Sequence, residues 1–295
     1  MLNKMPELSI IILNYNTKEL LVNCLKSLSR VAQEVDFEVI ISDNGSTDDS
    51  LKAVKVLGDL SFNLKIQENQ ENLGFAKGNN AAKGLCAGKY ILFLNSDTEV
   101  YSGTLKQTLA YLKENPQVGV VTCKQVMPDG KIDPDSRRSF PTPWIAFTHF
   151  SYLDRIFPQS KIFAQYWYGY RSEDEVFEID VCQGAYFLTR KSVLDGVGWF
   201  SDDYFLDGED IDLSWKIKEK GLKIIYYPLV SILHIKKATK KTIKNHRYIR
   251  AGVDSMEIFY RKYLWRRYPL VVNWLVILGI KLIKLLRSIR RIIKL

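Results

Sequence analysis

The chain is short of cysteine, histidine and long apolar runs, and each shortage removes a class of protein. Its 295 residues include four cysteines, Cys24, Cys86, Cys123 and Cys182, set far apart with no C-x-x-C pair. Such spacing suggests neither a disulfide framework nor a cysteine zinc site, and it fits a reducing compartment. No apolar run reaches the ~20 residues that a bilayer-crossing helix needs. The stretch Ile10-Ile11-Ile12-Leu13 is too short for a signal-peptide core and reads as a strand. Internal repeats and low-complexity tracts are also missing. What remains, 46% hydrophobic and 25% charged, is neither a disordered tail nor a polytopic membrane protein. The length suits one large domain or two modest ones.

Acidic residues are scarce at one end. Residues 1–234 hold 25 Lys and Arg against 31 Asp and Glu, whereas residues 235–295 hold 17 against 2. The net charge of +9 is therefore a property of the tail, which from Arg261 onward has ten basic residues and no acid. Pro269 to Ile280 contains only Asn273 as a strongly polar residue. Beyond it Lys281, Lys284, Arg287, Arg291 and Lys294 recur every three or four places, leaving Leu282, Leu285, Leu286, Ile289, Ile292 and Ile293 on the other face. This reads as a basic amphipathic helix lying on an anionic membrane, with Trp265 and Trp274 suited to the interface. The competing readings are a helix packed on its own domain and a homo-oligomer contact. Nucleic acid fits poorly, because the tail is too apolar and no recognition motif accompanies it. The expected organisation is a domain over 1–235 followed by a helical membrane-association segment over 236–295. The expected location is the cytoplasmic face of the cell membrane, as a peripheral protein.

Short branched apolar runs alternate with helical segments, the pattern of an α/β fold with a mostly parallel sheet. Strands are expected near Ser9–Asn14, Phe37–Asp43, Leu64–Gln67, Tyr90–Asn95, Val118–Val126, Val181–Leu188 and Lys223–Leu233. Helices are expected near Lys18–Ser29, Asp48–Leu57, Phe75–Leu85 and Leu105–Glu114, and from Glu209 to a stop at Gly221. Met127 to Glu175, rich in proline, glycine and aromatics, reads as a loop-rich insertion over the sheet's open edge.

In an open α/β sheet ligands sit beyond the carboxyl ends of the strands. Those ends are polar here: Asn14-Tyr15-Asn16-Thr17, Asp43-Asn44-Gly45-Ser46-Thr47-Asp48 and Asn95-Ser96-Asp97-Thr98. Ser46, Thr47 and Asp48 read equally as turn and cap residues. Asp43 and Asp97 each close an apolar strand, where a carboxylate is costly to desolvate without a partner.

These blocks, with Asn72-Leu73-Gly74-Phe75-Ala76-Lys77-Gly78-Asn79-Asn80, Gly184-Ala185, Asp207-Gly208-Glu209-Asp210-Ile211-Asp212 and His234, resemble the inverting glycosyltransferases of family 2, which have the nucleotide-diphospho-sugar-binding GT-A fold. The Asn-Leu-Gly-Phe-Ala and Asn-Ser-Asp segments look most like the rhamnosyltransferase-type branch. The resemblance implies a dTDP- or UDP-sugar donor contacted by Asn14, Tyr15, Asp43, Asn44, Asn72, Gly74, Lys77, Asn80, Asn95, Ser96 and Asp97, with Asp43 meeting the imide of the base. Asp97 would help bind Mg2+ or Mn2+, and His234 would approach the metal or the diphosphate. Where the family commonly shows Asp-x-Asp, this chain has Asn95-Ser96-Asp97, so one expected carboxylate is an amide. Gly184, Ala185 and Trp215 would face a glycan or lipid-linked acceptor, so the resemblance implies a nucleotide-binding half over 1–100 and an acceptor half over 101–235.

The glycine-rich block over 74–78 lacks the P-loop pattern and reads as a helix start, serving packing or donor positioning. Four carboxylates within 207–212 would also be at home at a helix N-terminus for structural reasons alone. For transfer with inversion one of them takes the acceptor proton; Asp210 is the first choice, Glu209 the alternative, and Asp212 reads as a structural partner. Cations for the leaving diphosphate are sought among Arg137, Arg138, Lys236 and Lys237. Two other readings stay open: a catalytically silent sugar-nucleotide-binding or scaffold protein at the membrane, and a nucleotidyltransferase.

Overall fold

The computed structural model describes residues 5–58, 60–236 and 246–293, with the side chains of 246–250 and 289–293 left aside. The chain opens with β1 (Leu8–Asn14), α1 (Lys18–Arg30), β2 (Phe37–Asp43), α2 (Ser50–Lys55), β3 (Asn63–Glu68), α3 (Gly74–Ala81) and β4 (Tyr90–Asn95). It continues through β5 (Thr98–Val100), α4 (Thr104–Glu114), β6 (Val118–Val126), α5 (Pro143–Phe150), α6 (Leu153–Ile156), β7 (Phe177–Ile179) and β8 (Tyr186–Arg190). Then come α7 (Lys191–Val197), α8 (Glu209–Glu219), β9 (Lys223–His234), α9 (His246–Phe259) and α10 (Leu270–Ile293).

The strands form one mixed sheet in the order β3-β2-β1-β4-β8-β6-β9-β5, with β7 pairing on β9. Period-2 alternation divides the strand residues between two layers. Ile10 and Ile12 pack with Leu21, Leu25 and Leu28 of α1, whereas Ile11 packs on the opposite side with Phe93, Trp199 and Leu213. Because β1 to β4 are parallel, Asn14 lies opposite Asp43 and Leu13 opposite Asn95, so three polar strand ends share one edge. β8 runs the other way, which brings its beginning, after Gly184 and Ala185, to the same edge. β5 pairs antiparallel with the end of β9, Thr98 opposite His234.

Several boundaries differ from the sequence expectation for physical reasons. α2 starts at Ser50 because Asp49 has a left-handed backbone (φ 60°) and Asp48 is engaged as an acceptor, from Lys18 N at 2.8 Å and Ser50 N at 3.1 Å. The helix expected to reach Leu85 divides into α3 and a tighter turn at Lys83–Leu85. The strand expected from Val181 begins only at Tyr186, since Val181 bridges Arg138 of the insertion instead. The insertion is not all loop: Thr142 caps α5, with Pro143 at its first turn, and α6 follows.

The tail is not a segment apart. Trp215 of α8 packs against Phe259 and Tyr263, and a shared apolar cluster also takes in Val253, Leu264, Ile277 and Ile280. Tyr263 OH donates to Asp212 at 2.8 Å and Ser255 Oγ to the Leu206 carbonyl at 3.3 Å. α8 and the tail therefore share a core, and the expected boundary near residue 236 is a change of charge that this packing crosses.

Candidate active site

The polar strand ends make the floor of a crevice. Asp43 accepts from Asn14 Nδ2 at 2.6 Å and from Ser46 N at 2.9 Å, both within the protein. Thr17 Oγ1 donates to Asn14 Oδ1 at 2.7 Å and lies 2.9 Å from Ser96 Oγ. Asn14 and Asp43 thus stand behind the surface, tying β1 and β2 together, while Tyr15, Asn44, Asn95, Ser96 and Asp97 line it.

The glycine-rich block is held to this floor by asparagines. Asn44 Nδ2 donates to the Gly74 carbonyl at 3.0 Å, and Asn72 Oδ1 accepts from Gly74 N at 2.9 Å. Gly74 has φ +82°, and a Cβ there would lie 2.2 Å from the Phe205 carbonyl. Asn72 and Gly74 line the crevice, whereas Lys77 is exposed on α3 and Asn80 Nδ2 donates to the Phe200 carbonyl at 2.9 Å. Asn80 and Gly74 both make packing contacts, and Gly74 also lines the crevice.

The opposite wall comes from α8 and the insertion. Asp207 (φ 64°) and Gly208 (φ 92°) turn the chain sharply, so that Glu209 and Asp210 point into the crevice from the first turn of α8. Arg138 donates to Asp210 Oδ2, and Ile211 N reaches Asp210 Oδ1 at 2.8 Å. Burial opposes the charge on Arg138, but Asp210 above all outweighs it and keeps the guanidinium a cation. Its Nε has no partner among the described residues. Burial, then the neighbouring Asp210 and Asp207, push the Glu209 carboxyl well above the usual range. Asp212, read as structural, is used inside the protein: Lys262 Nζ lies 2.8 Å away and Lys216 Nζ 3.5 Å. Gly184 and Ala185 also line the crevice; Gly184 backs onto the Phe75 ring, 2.7 Å from where a Cβ would stand. Trp215, assigned to the acceptor, is spent in the core shared with the tail, as its apolar ring and the aromatic neighbours of α9 dictate.

At the third side, the β5–β9 pairing sets His234 beside Asp97. His234 Nε2 lies 3.5 Å from Asp97 Oδ1 and Nδ1 lies 3.0 Å from Asp133 Oδ2. Burial disfavours the imidazolium, but Asp133 and Asp97 outweigh it and raise the ring to about 9. Asp133 in turn falls to about 2, since His234 and Lys236 overcome its burial. Lys236 also pairs with Asp135. No group of three or more His, Cys, Asp or Glu side chains among the described residues is arranged to hold a metal ion alone. Asp97 and His234 nonetheless stand face to face, and an arriving cation that displaces the Nε2 proton would meet a carboxylate and an imidazole held by Asp133, and could complete its shell with diphosphate oxygens.

Of the four cations sought for the diphosphate, Arg138 and Lys236 line the crevice. Arg137 turns away to the Ser172 carbonyl at 3.0 Å and the Tyr226 ring, and Lys237 lies outside the described residues. Asp133 and Asp135 escaped the sequence reading. Their Asp133-Pro134-Asp135 spacing just ahead of the arginine pair was the available signal.

The family model described as "Glycosyl transferase family 2" matches residues 9–198. The O-antigen biosynthesis protein RfbC of Myxococcus xanthus is 22% identical over 246 residues, which are 80% of this chain but only 18% of that protein. An N-acetylglucosaminyl-diphospho-decaprenol L-rhamnosyltransferase of Mycobacterium tuberculosis is 27% identical over 240 residues, 78% of this chain and 76% of the relative. Among solved structures, the mannosyltransferase PcManGT from Pyrobaculum calidifontis, in complex with GDP-Man and Mn2+, has the same fold. Its TM-score is 0.59 at 18% identity, covering 88% of this chain and 65% of that one.

Proposed function

Since this chain belongs to glycosyl transferase family 2, we propose that it is an inverting transferase moving L-rhamnose from a dTDP- or UDP-sugar to a hydroxyl of a surface polysaccharide or lipid-linked glycan precursor. One observation carries the reading: the Asp97–His234 pair, the Arg138–Asp210 pair and the asparagines Asn44 and Asn95, distant in sequence, line one crevice at the carboxyl edge of the sheet. The sugar and the acceptor take support from the Mycobacterium relative's name. The insertion that supplies Asp135 and Arg138 also exposes Trp144, Phe147 and Phe150, which suits an acceptor with an apolar portion.

Asp210 takes the proton of the acceptor hydroxyl as its oxygen attacks the anomeric carbon and the bond to the nucleoside diphosphate breaks. Glu209, its buried carboxyl pushed toward the neutral form and its Oε2 without a partner among the described residues, donates a hydrogen bond to the acceptor. Arg138 spans two roles, because it orients Asp210 and keeps an unpartnered Nε–H for a leaving-group oxygen. Lys236 adds positive charge from the other side. A Mg2+ or Mn2+ ion would be held by Asp97 and His234, where it would neutralise charge on the departing diphosphate.

The test is a thermal-shift panel of dTDP- and UDP-sugars with and without Mg2+ or Mn2+, followed by analysis of the released nucleotide. A donor at about a hundred times its Kd adds roughly 2.7 kcal/mol to stability. The expected result is stabilisation by one of these donors and release of a nucleoside diphosphate on transfer. Stabilisation by none, or pyrophosphate as product, would overturn the reading.

A further inference from the structure

The last helix presents two faces with different duties. On the inner face Asn273 is buried, its Oδ1 accepting from Tyr260 OH at 2.6 Å and its Nδ2 donating to the Trp265 and Tyr268 carbonyls at 2.9 and 3.1 Å. Ile277 and Ile280 continue that face into the core shared with α8 and α9, and Lys284 reaches Asp254. These contacts fix the helix about its own axis. The outer face is thereby held in solvent, although it is apolar: Val271, Trp274, Leu278, Leu282 and Leu285, spaced three and four apart, are 73, 62, 64, 53 and 55% exposed. An apolar stripe of this length, left without a partner among the described residues, marks an interaction surface.

The charge around the stripe says what covers it. Arg266, Lys281 and Arg287 are exposed beside it, and the sequence has no acid after Glu257. At its start Arg261 lies over the Trp265 ring at 4.9 Å, and Trp265 meets Trp274 edge-on at 6.1 Å, an amphipathic pair suited to the level of lipid headgroups. No helix among the described residues is long and apolar enough to cross a membrane. We propose that α10 lies in the plane of an anionic phospholipid surface, its outer stripe among the acyl chains and Arg261 and Arg266 on headgroup phosphates. The inference uses no residue of the crevice and stands whether or not the transfer reading does.

The experiment is flotation of the full-length protein with vesicles of phosphatidylcholine alone or mixed with phosphatidylglycerol, comparing wild type, Leu278→Glu/Leu282→Glu and Arg261→Ala/Arg266→Ala. Wild type is expected to bind the mixed vesicles at least tenfold better than phosphatidylcholine alone, and less so as salt rises. The leucine pair should lose at least tenfold of that binding, and the arginine pair most of the preference for phosphatidylglycerol. Unchanged melting temperatures would show that both variants fold, which their exposed positions favour. Wild type that fails to float, or a leucine variant that floats equally, overturns the proposal. So does a wild-type dimer in light scattering that the leucine pair dissociates while vesicle binding is absent.

Discussion

Two adjacent carboxyls on one helical turn are in opposite situations, and that difference decides which can accept a proton. Asp210 is met by the Arg138 guanidinium and its own helix's Ile211 N–H. Glu209 has Oε2 buried with no partner among the described residues, beside a second carboxylate, and its carboxyl is pushed up accordingly. A protonated acid is mimicked by an amide, whereas a working carboxylate is not. Glu209→Gln should therefore keep kcat within about tenfold, while Asp210→Asn should lower it by about 10²–10⁴ with donor affinity little changed. Steady-state kinetics with titration of a nucleoside diphosphate would check both. The reverse order, with the glutamine variant dead and the asparagine variant active, would make Glu209 the base.

Among the elements, the sheet has a charged clamp at the end opposite the crevice. Glu38 on β2 accepts from Ser9 Oγ of β1 at 2.7 Å and from Ala87 N at 2.7 Å, and Lys65 of β3 lies 2.7 Å from its other oxygen. Burial pushes this carboxyl up, but Lys65 and the two hydrogen bonds outweigh it and hold it below the ordinary glutamate value. A lowered folded value means that the contribution is present above the unfolded-chain range and is lost as pH falls through the folded one. Glu38→Gln should cost about 1–3 kcal/mol at neutral pH, and the gap to wild type should shrink below about pH 4. Urea denaturation at neutral and acid pH measures this; an equal gap at both would refute the clamp. Most of the sheet was readable, because β1, β2, β4 and β6 are apolar runs ended by a polar residue or a turn. α5 and α6 were hidden by a composition that looks like loop, although Thr142-Pro143 spelt a helix start. Asp133 could not be read as the partner of His234, since 101 residues separate them and it is the β6–β9 pairing, Val126 opposite Leu233, that brings them together. Trp215 was misplaced for a similar reason: its neighbours come from α9 and the turn after it, and no local pattern announces that packing.

For the molecule as a whole, the tail divides within α10 rather than at the change of charge. Removing residues 261–295 would take away Lys262 and Tyr263, which meet Asp212, and Leu264, Ile277 and Ile280, which cover Trp215 and Phe259. The helix that presents Asp210 to the crevice would lose its outer support and expose two large aromatics. Such a loss of buried side chains exceeds 3 kcal/mol, so the melting temperature should fall by roughly 6 °C or more and transfer to a soluble acceptor should fall with it. Removing only 285–295 leaves Asn273, Ile277, Ile280 and the Lys284–Asp254 pair in place. That shorter deletion should change the melting temperature by no more than about 2 °C and spare activity, while weakening vesicle binding by shortening the stripe. Thermal melts of the two deletions decide the matter: equal melting temperatures would mean that the first half of α10 is an appendage, and that α8 is held by the sheet alone.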